Sequence, residues 1–279
     1  MPYQPYKTVP RDYNPKSGRI TGVSIYPLTL QTYPQNLPTP PTPPFNPASL
    51  TAPLITWFGK QDSDITYSSG NPIDWVNQGT GGGSATLYNC APATKNGLAA
   101  VDFATAGASY GEYFSNFTDQ PRAIFVAAKV TTDLPNATNR FLAFTQQGAL
   151  STTGFFGFYV GAPTPAVNSW YLLCIAQGQT IPILSNPQST YDPLNNDFVY
   201  SAVNSLNVAN NNISIDTVSQ SLALNDPANQ YYTGSVITYI NEATAVQSFV
   251  MYEMLVYDGE VSPSEQLQVI NYLKNKWNI

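Results

Sequence analysis

The side chains able to do chemistry are few and scattered. There is no histidine, which removes the usual general base, the Ser-His and Cys-His nucleophile systems and the commonest zinc ligand. What remains is carboxylates. In YEMLVYDGEVS, Glu253 lies inside a strand-like run, and Asp258 and Glu260 follow it in a turn; in KQDSDIT, Asp62 and Asp64 stand close together. Clustered hard oxygens suit calcium, but Asp and Gly are also what turns are built from. The turn role is the stronger expectation, so no cofactor is expected. Cys90 and Cys174 could form a disulfide; two buried thiols acting as small apolar side chains are favoured over it. The segment GTGGGS (79–84) lacks the Lys-Ser/Thr of a phosphate loop, no helix start follows it, and it reads as a flexible loop. Two stretches could hold a sugar by aromatic faces and amides: ANNNIS, with Asn210 to Asn212, and NQYYTG. Asn211, Tyr231 and Tyr232 are the carbohydrate-binding candidates. Asn116, Asn136 and Asn212 each open an Asn-x-Ser/Thr sequon, which an Asn-rich chain also produces by chance.

Composition narrows the setting. Only 10% of the 279 residues are charged, against roughly 25% in ordinary soluble domains. The polar surface must then be Asn, Gln, Ser, Thr and Tyr, which suits an extracellular or particle-borne all-β protein better than a cytosolic enzyme. A net charge of −6 without a basic cluster excludes nucleic acid as the expected partner. No apolar run is long enough to span a membrane. The opening MPYQPYKTVPRDY has no apolar core of a signal peptide, so the ordinary secretory route is not expected unless a leader has been removed.

Residues 1–53 hold 13 of the 24 prolines, four basic residues and one acid. Proline at this density favours extended polyproline II and excludes helix and central strand. Aromatic residues recur through the segment, among them Tyr26, Tyr33 and Phe45, so it reads either as a floppy tail or as an extended arm that lies along neighbouring subunits. From residue 54 onward, short runs such as AIFVAAKV, SWYLLCIA and SFVMYEMLVY alternate with Gly, Pro, Asn and Asp clusters, the pattern of an all-β sandwich or barrel. One helix closes the chain. Ser262 is its N-cap, Pro263 its first residue and Glu265 the partner in a capping box. Leu267, Ile270, Leu273 and Trp277 form an apolar stripe, and Lys274 and Lys276 favour its C-terminal end.

The segment YEMLVYDGEVS followed by PSEQLQVINYLKNKW resembles the C-terminal signature of concanavalin A-like (laminin G-like) jelly-roll domains. The residues that match are Glu253, Tyr257, Asp258, Ser262, Glu265, Tyr272, Leu273, Lys276 and Trp277. LITWFGKQDSDIT, IDWVNQGTGGGSATLYN and NGLAAVDF are similar, in the same order, to the opening of such domains. The resemblance covers roughly residues 54–279 and implies a two-sheet antiparallel jelly-roll sandwich with the C-terminal helix packed on it, preceded by the arm of 1–53. Its glucanase branch carries alternating carboxylates on one strand, since retaining glycosidases need two carboxyl groups about 5–5.5 Å apart. Glu253 has no such partner within its strand, so no enzymatic activity is expected and Glu253 is assigned to a hydrogen-bonded structural role at a sheet edge.

Two functional expectations follow. The first is a non-catalytic structural protein of a virus particle, a minor capsid, decoration or fibre component, whose arm docks on other particle proteins while the sandwich is displayed. The second is a lectin-like carbohydrate-binding module for host or surface attachment. Both place the chain on a virion or an extracellular surface, with glycans as a second partner.

Overall fold

The structure, a computed structural model, describes residues 44–103, 109–117, 122–131, 141–146, 155–161, 171–176, 179–182, 196–205, 207–221, 234–240 and 248–279. They belong to a compact unit spanning Pro44–Ile279. Among them the strands in chain order are β1 (Leu54–Phe58), β2 (Ile65–Ser68), β3 (Asn71–Val76), β4 (Ser84–Tyr88), β5 (Ala91–Lys95), β6 (Leu98–Phe103), β7 (Tyr110–Phe117), β8 (Arg122–Val130) and β9 (Phe141–Gln146). They continue with β10 (Phe155–Gly161), β11 (Tyr171–Ala176), β12 (Gln179–Pro182), β13 (Asp197–Asn204), β14 (Asn212–Ile215), β15 (Val218–Ser221), β16 (Gly234–Ile240) and β17 (Phe249–Asp258). The helix α1 (Pro263–Trp277) follows.

These strands form two antiparallel sheets, as expected. The first runs β15-β14-β13-β8-β17-β6-β5, with β1 also paired to β17; the second runs β12-β11-β10-β9-β16-β7-β4-β3-β2. One apolar layer lies between the sheets, where Phe58, Val101, Ile124, Val126, Met254 and Val256 of the first meet Trp75, Ala85, Leu87 and Tyr113 of the second. A second apolar layer covers the other side of the first sheet, where Trp57, Phe125, Ala127, Leu255 and Tyr257 meet Val269, Ile270, Leu273 and Trp277 of α1. At its central strands the first sheet is therefore buried on both faces. That is why β8 and β17 are apolar almost without interruption, where a half-exposed strand would alternate.

The helix is built as its sequence dictates. Ser262 Oγ accepts from the Glu265 N–H, and Glu265 Oε2 accepts from the Ser262 N–H at 2.8 Å. Asn278 closes the other end in the left-handed conformation. The buried face differs from the expected stripe: it is Gln266, Val269, Ile270, Leu273 and Trp277, while Leu267 is 47% exposed. At about 100° per residue, Leu267 points roughly a right angle away from that face.

The glycine-rich segment 79–84 is packed against β1, contrary to the flexible loop expected. Thr80 N–H donates to Leu54 O at 2.8 Å and Gly81 N–H to Ile55 O at 3.0 Å. Asn77 holds it from beneath: Oδ1 accepts from Trp57 N–H (2.7 Å) and Gly79 N–H (2.8 Å), and Nδ2 reaches Ile55 O, Gly82 O and Tyr113 Oη. A Cβ at Gly79 would lie 2.4 Å from Ile55 O. Gly79 and Gly81 are there to let two backbones touch.

Candidate functional site

Glu253 sits on a central strand, flanked by β8, β6 and β1, and not at the expected sheet edge. Along β17, Met251, Met254 and Val256 enter the inter-sheet layer while Tyr252, Leu255 and Tyr257 face the helix. A bulge against β8 between Met251 and Glu253 breaks the alternation, so Tyr252 and Glu253 turn to the same side, as a bulge allows. There the carboxylate is fully buried. Its Oε1 accepts from Trp57 Nε1 (2.6 Å) and Tyr272 Oη (3.0 Å); its Oε2 accepts from Trp277 Nε1 (2.7 Å) and pairs with Lys276 Nζ (2.7 Å). Burial pushes its pKa above the ordinary carboxylate value, against the pull of Lys276 and of the two indole N–H groups. A carboxylate sealed by four protein donors has no open side for a substrate; this group pins the helix to the sheet.

The other carboxylates are used in turns. Asp62 Oδ1 accepts from the Ala99 N–H at 2.7 Å. Asp64 accepts from the Gln61 N–H and from Gln78 Nε2, both at 3.0 Å. Asp258 is buried, its N–H bonded to Pro53 O, and Glu260 accepts from the Ser205 hydroxyl. No three Asp, Glu, Cys or His side chains among the described residues are grouped to hold a metal. Cys90 is a free, buried thiol whose pKa burial pushes up to about 12.

Of the sugar-binding candidates, Tyr231 and Tyr232 lie outside the described residues. Asn211 is 1% exposed and its Oδ1 accepts from the Ser205 N–H. This corrects the expectation for Asn211: one of three consecutive asparagines turns inward to hold a loop, and it cannot meet a ligand from solvent. Its neighbours Asn210 and Asn212 do line a cleft of about 320 Å³ between the β14–β15 hairpin and α1. Tyr26 and Tyr33 of the arm also lie outside the described residues. Phe45 is laid on its own chain, edge-on to Tyr272 with ring centroids 6.2 Å apart. Tyr257 Oη donates to Pro47 O nearby.

Nothing in the sequence singled out the solvent face of the second sheet, which is the better site. On β4 and β7, Ala85, Leu87, Gly111 and Tyr113 point inward, which turns Thr86, Tyr88, Tyr110, Glu112 and Phe114 outward. Tyr88 and Tyr110 are directly opposed across the strands and their rings stack at 4.5 Å with 16° between planes. Phe114, four residues along the same strand and so about 13 Å away, is 64% exposed. Glu112 lies between them, opposite Thr86, which is itself opposite Asp74 on β3. Burial, with Glu112 and Tyr88 nearby, raises the pKa of Tyr110. The nine strands of this sheet contain no Lys or Arg, and Asp74 and Glu112 are their two acids. Cations sit instead on β5, β8 and α1. The face offers aromatic surface, hydroxyls and acceptors. Its signal in the sequence was the period-two pattern Tyr110-x-Glu112-x-Phe114, but aromatic residues occupy both phases of that strand, and only the fold decides which phase faces water.

A two-sheet sandwich of this kind recurs in solved structures. Botulinum neurotoxin type C, whose cell entry depends on interaction with two ganglioside molecules, is similar at 11% identity and a TM-score of 0.51 over 79% of this chain. The binding domain of botulinum neurotoxin DC in complex with SialylT is similar at 10% identity and a TM-score of 0.52, also over 79%. A Trypanosoma rangeli sialidase in complex with 2,3-difluorosialic acid matches over 81% at 12% identity and a TM-score of 0.51. The chain spans 51% of each neurotoxin chain and 33% of the sialidase. At such identities the likeness is one of fold. No family model matches the chain, and no curated protein matches it in sequence. No helix among the described residues is long and apolar enough to cross a membrane.

Proposed function

We propose that this chain is a non-catalytic, lectin-like carbohydrate-binding module of the concanavalin A-like jelly-roll kind, which lays a neutral oligosaccharide along the outer face of its second sheet. One observation carries the reading: the stacked Tyr88–Tyr110 pair and the exposed Phe114 lie in line on a sheet whose strands contain no Lys or Arg, with Glu112 between them. Sugar rings present a C–H face to aromatic rings and hydroxyl donors at their edges. Tyr88, Tyr110 and Phe114 supply the first kind of contact; Glu112, Asp74 and Thr86 supply acceptors for the second. The spacing of about 13 Å along β7 exceeds one sugar ring, so the ligand is a chain of several. Neurotoxin domains that interact with gangliosides or SialylT share the fold, which makes a glycan partner reasonable for a sandwich of this shape. Their ligands are acidic, and the acidic face here is suited to neutral ones instead. The sealed Glu253 supports a binding role over hydrolysis.

The test is an array of neutral and acidic oligosaccharides, followed by calorimetry on the best ligand. Aromatic contacts of this kind are each worth about 0.5–1.5 kcal/mol. Tyr88→Ala and Phe114→Ala are therefore each expected to weaken binding about two- to tenfold, and together more. Unchanged affinity in both would remove this face from the site.

A further inference from the structure

We propose that the cleft between α1 and the β14–β15 hairpin is a second binding site, sized for a single neutral sugar residue. The cleft lies beside α1, which packs over β8 and β13 and meets β14 through the Gln266–Asn212 amide pair. The strip of sheet beside the helix is polar: Asn212, Asp216 and Ser219 line it, and Ser214 lies buried among them. The facing wall is the flank of the helix, where Pro263 and the half-exposed Leu267 present apolar surface. This is where the leucine that leaves the buried stripe ends up.

The floor has a definite hydrogen-bonding character. Gln266 Nε2 donates to Asn212 Oδ1 (2.6 Å) and Ser201 Oγ (3.0 Å), so both its protons are committed. Asn212 Nδ2 donates to Gln266 Oε1 and Asn210 O, both at 2.9 Å, so its protons are committed too. Each amide oxygen accepts one of these bonds and keeps a second lone pair. The fixed amides therefore have acceptors left over and no donors. Asp216 accepts from the Val199 N–H and pairs with Lys274 at 2.8 Å, which ties up the adjacent cation. The lining holds no Lys or Arg, so an anionic ligand has nothing to pair with. A fitting ligand brings at least two donors on one edge and C–H surface for Leu267 on the other, in about 320 Å³, near the lower end of ligand-pocket sizes. A pyranose ring with free hydroxyls meets those terms. The same pair of amides explains why Asn212 is a poor glycosylation acceptor in the folded chain: its Nδ2 is already held.

The experiment is calorimetry or saturation-transfer NMR on the full chain with methyl glycosides of neutral sugars, beside methylammonium as a probe for a cation site. Leu267→Glu changes an exposed helix flank and leaves the cap and the buried face alone; it is expected to weaken monosaccharide binding at least tenfold. Ser219→Trp, which fills the cleft from the hairpin, is expected to do the same. Tyr88→Ala is expected to leave monosaccharide binding unchanged, which separates this site from the outer-face site. Loss in both cleft variants stands even if Tyr88→Ala has no effect on oligosaccharides. The proposal is overturned if no methyl glycoside binds, if both cleft variants bind as the natural chain does, if Tyr88→Ala abolishes the signal, or if methylammonium binds in place of sugars.

Discussion

Glu253 shows how a residue that looks catalytic can be structural. An isolated carboxylate taken out of water is costly, and it persists only where its lone pairs are satisfied. Here two indoles, a phenol and an ammonium satisfy them. Glu253→Gln keeps the volume but turns an NH₂ toward those donors. It is expected to lower the unfolding free energy by about 3–5 kcal/mol, the usual cost of breaking a buried pair. Urea titration measures this, and a loss below about 1 kcal/mol would mean that the donors do not depend on the charge. Cys90 makes the opposite case. Its thiol is held as a neutral apolar group, with its pKa raised from an ordinary 9.0 to about 12 by burial first of all. The thiolate is the reactive form, so at pH 8 iodoacetamide should leave Cys90 unmodified in the native chain and label it in urea, as read by peptide mass. Rapid native labelling would contradict the burial. At this scale the sequence was informative about types but not about pairs. Glu253, Tyr272, Lys276 and Trp277 all stood in the closing motif, yet Trp57, 196 positions away, completes the set, and nothing local announces it. Likewise the three identical asparagines of ANNNIS carry no clue to which one turns inward.

Elements were legible where their signals are local. The capping box of α1, its Pro at the first position and its terminal lysines are set by a few neighbouring residues, and all are realised. The stripe was misassigned at Leu267, because spacings of three and four fit two overlapping faces and only the sheet beneath selects one. The glycine-rich segment was misread for a related reason. Glycine permits both a mobile loop and a close approach, and the approach is made to β1, which is distant in sequence. Its packing has a measurable consequence. With a Cβ at Gly79 placed 2.4 Å from Ile55 O, either β1 or the loop must move. Such overpacking typically costs about 1–3 kcal/mol. Gly79→Ala should therefore lower the unfolding free energy from urea titration by that amount, whereas a free loop would tolerate the methyl group at no cost. The same shift would disturb Asn77, which ties the loop to Trp57 and Tyr113.

The molecule as a whole divides its chemistry between its two sheets. The central strands of the first sheet are buried on both sides, between the second sheet and α1. Among the described residues, the second sheet presents the outer face of β2, β3, β4 and β7 to water, and none of its nine strands contains Lys or Arg. Low overall charge was visible in the composition, but this segregation was not, because strands of both sheets interleave along the chain. On the proposed reading, it sets the ligand preference of the outer face. At 0.1 M salt the Debye length is about 10 Å, so Asp74 and Glu112 repel an anionic glycan held on Tyr88, Tyr110 and Phe114 and leave a neutral one unaffected. Binding of a neutral oligosaccharide should accordingly be nearly independent of salt. Replacing Glu112 with Lys puts a cation in the middle of the aromatic row and changes the local charge by two. Glu112→Lys is expected to gain affinity for sialylated or sulfated chains, to show that gain at low salt and lose most of it at high salt, and to bind neutral chains more weakly because an acceptor is gone. Calorimetry at two salt concentrations reads all three effects. If the natural chain already binds acidic glycans as well as neutral ones, or if Glu112→Lys changes neither, then electrostatics at this face does not govern recognition, and the ligand is held elsewhere.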